Sequence, residues 1–321
     1  MTDQVLVSAD NVFRYYGQHC AVEDLSLALR RGEVLGLLGP NGAGKTSTLQ
    51  MLSGNLAPSR GRIAVNGIDL LDAPKRAKGH IGYLPERPPL YPDLSVDEYL
   101  RYCGRLHRVP GARLRAALDE VKMRCGLIDT GRRVIGNLSK GFQQRVGIAQ
   151  ALIHSPLVVI LDEPTVGLDP IQIREIRALI RELGRTHGVI LSTHILPEVQ
   201  AVCDRVQIIH AGRTVFNDTL SGLSERHGAQ AWIVSFQSPP STQDLRRLPG
   251  VEAIEPLAHG RLRIVHKDQS AMDALVEASV THDWRLRELT PERATLEQIF
   301  MALIHSESGT NPATRGRRTS A

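Results

Sequence analysis

The chain has 321 residues, 42% apolar and 23% charged, which is length enough for about two folded domains and a composition that excludes long disorder. Lys and Arg number 39 against 34 Asp and Glu, a net +5 with a pI near 9.2; residues 75–145 alone carry 15 basic and 7 acidic side chains, a local +8. No aliphatic run exceeds Leu157–Leu161, far short of the roughly 20 residues of a membrane-spanning helix; the first residues lack the apolar core of a secretory leader, and Cys20, Cys103, Cys125 and Cys203 are too scattered for a disulfide frame or zinc site, so a cytoplasmic chain with reduced thiols is expected.

Short β-like runs alternate with longer amphipathic stretches through residue 216, the pattern of an α/β domain. Strands are expected at Val5–Val7, Ala21–Leu29, Val34–Leu38, Ile63–Val65, Val158–Leu161, Val189–Ser192 and Val206–Ile209. The turn His210-Ala211-Gly212 leads into a last strand, Thr214–Phe216. Residues 95–155 are Arg-rich, helix-like and almost without strand signals, and read as a helical insertion. The pattern relaxes around Ser221–Gly228, which puts a first domain at 1–224 and a second at 225–305.

In the second domain Trp232, Val234 and Phe236 alternate as on a half-buried strand, and a short helix is expected near Gln243–Leu248. Gly250–Ile254, Leu262–Val265 and Trp284–Leu289 read as further strands, and Met272, Leu275 and Val276 as one face of a helix. The order β-α-β-β-α-β is that of a ferredoxin-like α+β unit. A closing helix is expected with Leu296, Ile299, Phe300 and Leu303 on one face and Thr295 with Gln298 as a capping box. The polar tail 306–321 is expected to be disordered.

Three elements carry chemistry. After the strand Val34–Leu38 comes Gly39-Pro40-Asn41-Gly42-Ala43-Gly44-Lys45-Thr46 and then a helix-like run, Ser47–Leu52. Glycines let backbone N–H groups curl around phosphate oxygens, and the helix N-terminus adds a favourable dipole. Lys45 suits the β- and γ-phosphates, and the Thr46 hydroxyl suits Mg²⁺. The second element, Leu157 to Ile160 and then Leu161-Asp162-Glu163-Pro164, is a buried parallel strand with two acids at its carboxyl end, where ligands sit in open α/β sheets. Asp162 there can hold Mg²⁺ through water, and Glu163 can polarise an attacking water. The third is Leu138-Ser139-Lys140-Gly141-Phe142-Gln143-Gln144-Arg145, ahead of a helix expected over Val146–Ile153. Ser then Gly at a helix start offers another anion site, 94 residues beyond Lys45 and 23 before Asp162.

With this third element the chain resembles the ATP-binding subunit of ABC transporters, whose signature reads Leu-Ser-Gly-Gly-Gln. Gly167-Leu168-Asp169 resembles that family's D-loop, Ser192-Thr193-His194 its switch-histidine segment, and Tyr16 the aromatic that stacks on adenine. The resemblance covers roughly residues 4–220. It implies a P-loop ABC-type nucleotide-binding domain with a helical subdomain at about 86–155. It also implies two such domains facing head to tail around two ATP molecules. Ser139 and Gly141 of one copy would cap the γ-phosphate bound by Lys45 of the other. Glu163 would be the general base, His194 would contact the γ-phosphate, and Gly39, Asn41, Gly42, Gly44, Thr46, Ser47 and Asp169 would complete the nucleotide site. A separate integral-membrane permease is the implied partner, and the +8 segment would face it and the cytoplasmic leaflet.

Departures from the family pattern are Lys140 and Phe142 in the signature, and Glu86 where Ile81-Gly82-Tyr83-Leu84-Pro85-Glu86 has its usual Gln. Glu86 can still join Thr46 and Asp162 around Mg²⁺. These variants, with Leu296-Glu297-Gln298-Ile299-Phe300, resemble a bacterial branch of single-cassette exporter ATPases that includes gliding-motility-associated and multidrug-type members. A repair or translation ATPase and an ATP-gated switch are weaker alternatives: there is no room for a long coiled coil before the signature, one cassette is present, and Glu163 is retained. Nucleic acid is not an expected partner. For the second domain RNA binding and metal sensing are disfavoured, and regulation or dimer stabilisation is preferred. The basic segment reads as a membrane-side docking surface or as a solvated face.

Overall fold

A strand in the middle of a parallel sheet is covered on both faces, so an uninterrupted apolar run is its mark. Val34–Leu38, Val158–Asp162 and Gly188–Thr193 are such strands, buried at every residue. The computed structural model describes residues 4–222, 231–267, 270–292 and 297–301. The chain divides between Leu220 and Ser221 into two compact units, a little ahead of the boundary expected after 224.

In the first unit β1 (Val5–Tyr16) pairs with β2 (His19–Arg30), and β3 (Val34–Leu38) leads into α1 (Lys45–Leu52). Then come β4 (Arg60–Val65), β5 (Ile68–Asp69), α2 (Pro74–Lys78) and β6 (Ile81–Leu84). The helical insertion comprises α3 (Val96–Leu106), α4 (Gly111–Arg124) and α5 (Lys140–Leu152). The chain returns through β7 (Val158–Asp162), α6 (Pro170–Gly184), β8 (Gly188–Thr193), α7 (Leu196–Val202), β9 (Arg205–His210) and β10 (Arg213–Thr219). One sheet has the order β2-β1-β4-β5 and the other β10-β9-β3-β8-β7-β6. The second is parallel except for its β9–β10 hairpin.

Strand β1 is far longer than the expected Val5–Val7, whereas β2 extends the expected Ala21–Leu29 only slightly. Register shifts on both sides of Val12, with Asn11 and Asp24 at positive φ, break the alternation that marks a strand. The Asn11 side chain donates to Asp24 Oδ1 at 2.8 Å, which holds that irregularity in place. Strand β6 was not expected from its composition: it is a four-residue edge strand interrupted by Gly82. Within the insertion, α3 opens on a capping box of Ser95 and Glu98 and buries Val96, Tyr99, Leu100 and Cys103. Helix α4 buries Leu114, Leu118 and Val121 at helical spacing.

The second unit has β11 (Ala231–Phe236), α8 (Thr242–Arg246), β12 (Val251–Pro256), β13 (Arg261–His266), α9 (Ser270–Thr281) and β14 (Leu286–Glu292). Its antiparallel sheet has the order β12-β13-β11-β14, the ferredoxin-like arrangement. Val234, Phe236, Leu245, Ile264, Leu275 and Trp284 form its core. Trp284 does not begin the last strand as expected. Asp283 and Arg285 on either side have positive φ, and the ring turns inward to meet Phe236 edge-on at 5.9 Å. The face of α9 is also corrected: Ala271, Leu275 and Ser279 are buried, whereas Val276 is 39% exposed. Leu275 belongs to both rows, and the row four residues apart meets the sheet. Residues Glu297–Met301 are helical, with Ile299 buried; Thr295, Leu296, Leu303 and the tail 306–321 lie outside the described residues.

Candidate active site

Strand order assembles the site. Strand β8 lies between β3 and β7, with Leu38 level with Thr193 and Asp162 level with Ser192. These three carboxyl ends and the loops leaving them carry the phosphate loop, the paired acids and His194.

In the phosphate loop Gly42 and Gly44 have φ of 81° and 104°, a region L side chains resist. A Cβ on Gly44 would stand 2.5 Å from Ala21 O, and one on Gly39 2.3 Å from Ile209 O, so the loop is pressed against its neighbours. The first helical bond of α1 runs from Thr48 N–H to Gly44 O at 2.9 Å. The amides of Lys45, Thr46 and Ser47 therefore have no partner within the helix. The buried Lys45 amine donates to Gly39 O at 2.8 Å and Pro40 O at 3.2 Å, and stands 3.7 Å from Glu163 Oε1.

Asp162, at the end of β7, accepts hydrogen bonds from the Ser192 and Thr46 hydroxyls. Burial pushes its carboxyl above the usual range; those two hydrogen bonds oppose the shift, nearby Glu86 adds to it, and Lys45 draws it back. Glu163 has φ 47°, a left-handed conformation that costs a non-glycine residue about 1–2 kcal/mol. Its N–H is held at 3.2 Å by both the carbonyl and the hydroxyl of Ser192. This turn sets the carboxylate between Lys45 and His194, whose Nδ1–H donates to Oε1 at 2.9 Å and Oε2 at 3.0 Å.

A cavity of about 390 Å³ is lined by Asn41, Gly42, Gly44, Lys45, Thr46, Ser47, Glu86, Glu163 and His194, with Ala21 and Val166. Tyr16 borders this loop: its hydroxyl lies 3.4 Å from Ser47 Oγ and the Arg14 guanidinium lies 4.7 Å over its ring. Ser139, Gly141 and Asp169 are not in that lining; they gather at the starts of α5 and α6. Helix α5 begins at Lys140, not Val146, because Ser139 caps it by accepting from Phe142 N–H at 3.4 Å. A Cβ on Gly141 would meet Gln172 Cδ at 2.5 Å, and Asp169 Oδ1 caps α6 by accepting from Ile171 and Gln172 N–H at 3.0 and 2.9 Å. Ser192 was placed in the histidine segment from sequence but given no role; the structure ties its hydroxyl to both Asp162 and the Glu163 N–H.

The arrangement offers an ammonium and free helix amides for phosphate, oxygen donors for a hard cation, and a carboxylate steered by an imidazole. The ABC transporter family matches residues 22–166. The ABC transporter ATP-binding protein NatA of Bacillus subtilis (strain 168) is 42% identical over 220 residues, 68% of this chain and 89% of that protein. The daunorubicin resistance ATP-binding protein DrrA3 of Streptomyces coeruleorubidus is 38% identical over 300 residues, 92% of this chain and 95% of the relative. A solved structure of the ATP-binding subunit of an ABC transporter is 32% identical, with a TM-score of 0.63, over 69% of this chain and 92% of that one. The fold, the converging strand ends and these likenesses agree: the chain belongs to the ABC transporter family and is an ATP-hydrolysing subunit.

Proposed function

We propose that ATP lies along the cavity at the carboxyl ends of β3, β8 and β7, and that Glu163 is the general base for its hydrolysis. One observation carries this assignment: Lys45 and His194 flank the same carboxylate at 3.7 and 2.9 Å. Lys45 and the amides of α1 hold the β- and γ-phosphates, Glu163 takes the proton of the attacking water, and His194 orients that carboxylate and contacts the γ-phosphate. Gly39, Asn41, Gly42, Gly44, Thr46 and Ser47 shape the phosphate cradle, and Tyr16 stacks on adenine. Mg²⁺ suits Thr46, Asp162 and Glu86: their donors are hard oxygens, and the buried Asp162 and the exposed Glu86 bring two carboxylates near one another. When bound, the ion supplies neutralisation of charge on the phosphate oxygens.

A second protomer completes the site in this proposal. Ser139 and Gly141, at the start of a helix with no acid in its first turn, cap the γ-phosphate held by the partner's Lys45, with Asp169 beside them. With MgATP and hydrolysis blocked by Glu163→Gln, the protein is expected to sediment as a dimer. Adding Ser139→Glu places a carboxylate against phosphate; it should leave a monomer that binds ATP within about twofold of the parent, because its own cradle is intact. A dimer that persists in the Ser139→Glu protein overturns the head-to-tail arrangement.

The dimer drives a separate integral-membrane permease, and export is the direction that the name of the daunorubicin resistance relative supports. The second unit is assigned regulation or dimer stabilisation. A groove of about 740 Å³ between α3 and α4 is lined by Arg101, Arg105, Arg115 and Lys122 with Asp97 and Asp119. Lys122 pairs with Asp97 at 2.7 Å, whereas the three arginines are exposed. This face is assigned to the anionic surface of the cytoplasmic leaflet, where each Lys or Arg contributes about 1 kcal/mol. Changing Arg101, Arg105 and Arg108 together to Glu should reduce sedimentation with phosphatidylserine vesicles at least tenfold and leave ATP affinity unchanged. Equal sedimentation of both proteins would make the arginines a solvated face.

A further inference from the structure

We propose that Glu198 is a positioning residue for hydrolysis, setting the spacing between Glu163 and His194; the role rests on the catalytic reading of those two side chains. Glu198 is 1% exposed and sits in the first turn of α7. An acid there ordinarily faces solvent and interacts with the helix dipole. Here both carboxylate oxygens are used outside the helix. Oε1 accepts from the hydroxyl of Thr165, and Oε2 accepts from that of Thr193 at 2.8 Å. Arg177 Nη2 on α6 lies 3.8 Å from Oε1.

These partners bracket the two catalytic residues. Thr165 stands two positions after Glu163, in a turn closed by Val166 N–H to Glu163 O at 3.3 Å and Leu168 N–H to Thr165 O at 3.2 Å. Thr193 directly precedes His194, and its hydroxyl also accepts from Ile195 N–H at 3.0 Å. The backbone on either side of His194 is thus tied to one hydroxyl, and that hydroxyl to Glu198. Through a single buried anion the loop carrying the strained Glu163 and the turn carrying His194 share one anchor. Burying a carboxylate is costly unless its oxygens are satisfied, and charge-assisted O–H···O⁻ bonds are shorter and stronger than neutral ones. Such an anchor tolerates little drift, and drift of about 1 Å at a reacting group can cost about a hundredfold in rate.

The neutral isostere separates this role from simple packing. In Glu198→Gln the shape is kept, but the amide nitrogen accepts nothing, so one threonine hydroxyl loses its acceptor. The full chain is assayed for phosphate release, for binding of a fluorescent ATP analogue and for thermal unfolding. For Glu198→Gln, kcat should fall about tenfold, with KM and analogue affinity within about twofold of wild type. In a His194→Ala background the same change should cost less than twofold, because the residue it positions is gone. Thr193→Ser should keep the wild-type rate, and Thr193→Val should lose it; this pair decides the question if Glu198→Gln does not fold. Wild-type kcat in Glu198→Gln or in Thr193→Val, or losses that multiply with His194→Ala, overturn the positioning role. Glu163→Gln is assayed alongside: its hydrolysis at the wild-type rate would overturn the catalytic reading itself, whatever Glu198 does.

Discussion

Glu163→Gln should lower the turnover of ATP by about a thousandfold, within the range that a positioned general base contributes, while MgATP binding stays within about twofold of wild type. The amide keeps the carboxylate's shape and can still accept from His194 Nδ1–H, which now lies 2.9 Å from Oε1. The Lys45 amine keeps its two carbonyl partners, so the phosphate cradle is undisturbed. What is lost is the oxygen able to take a proton from water. Phosphate release under saturating MgATP measures the first effect, and equilibrium binding of a fluorescent analogue the second. A variant that turns over ATP like wild type would remove Glu163 from the chemistry; one that neither binds nor turns over would make it a binding residue.

Gly82→Ala should destabilise the first unit by about 2–3 kcal/mol, the cost of forcing atoms into a packed interior, and lower its melting temperature by about 5–10 °C. The added Cβ would stand 2.1 Å from Ala151 O and 3.0 Å from Pro156 Cγ. Neither is the end of a flexible side chain, so β6 or the end of α5 must move. Strand β6 pairs in parallel with β7, Gly82 opposite Val159, and Glu86 follows it closely in the chain. Hydrolysis should therefore fall further than ATP binding. Gly111→Ala is the control: it opens α4 with nothing within 4 Å of a new Cβ and should melt at the wild-type temperature or slightly above. Calorimetry on the two variants distinguishes a close backbone approach from a general intolerance of change, and equal melting points would dismiss the close approach.

The phosphate loop, Asp162, Glu163 and the signature were legible because each couples special residue types to a strand or helix end, and the flanking periodicity was strong. Strands β3, β7 and β8 were equally plain, since burial on both faces imposes apolar residues at every position. Elsewhere local pattern was the wrong guide. Bulges around Asn11 hid most of β1, whereas β2 was largely foreseen, and a glycine hid the edge strand β6. In the second unit the positive φ of Asp283 and Arg285 turned Trp284 out of the strand that its β propensity suggested. Glu198 was silent for another reason: an acid in a helix's first turn is unremarkable until its two partners are seen to come from separate segments, the turn after β7 and the end of β8.

By itself the sequence determined the chemical vocabulary of this protein: a phosphate loop, a pair of acids, a second helix start suited to an anion and a histidine, in an order that identifies an ABC transporter ATPase. Those features follow from residue type and spacing, which are local. Tertiary structure decided their meeting. Lys45 and Glu163 are 118 positions apart, and Glu163 and His194 a further 31; they converge only because β8 is inserted between β3 and β7. The left-handed turn at Glu163 and the buried carboxylate of Glu198 are likewise products of packing. No local preference favours either, and both persist because the surrounding strands and hydroxyls supply the hydrogen bonds that offset their cost.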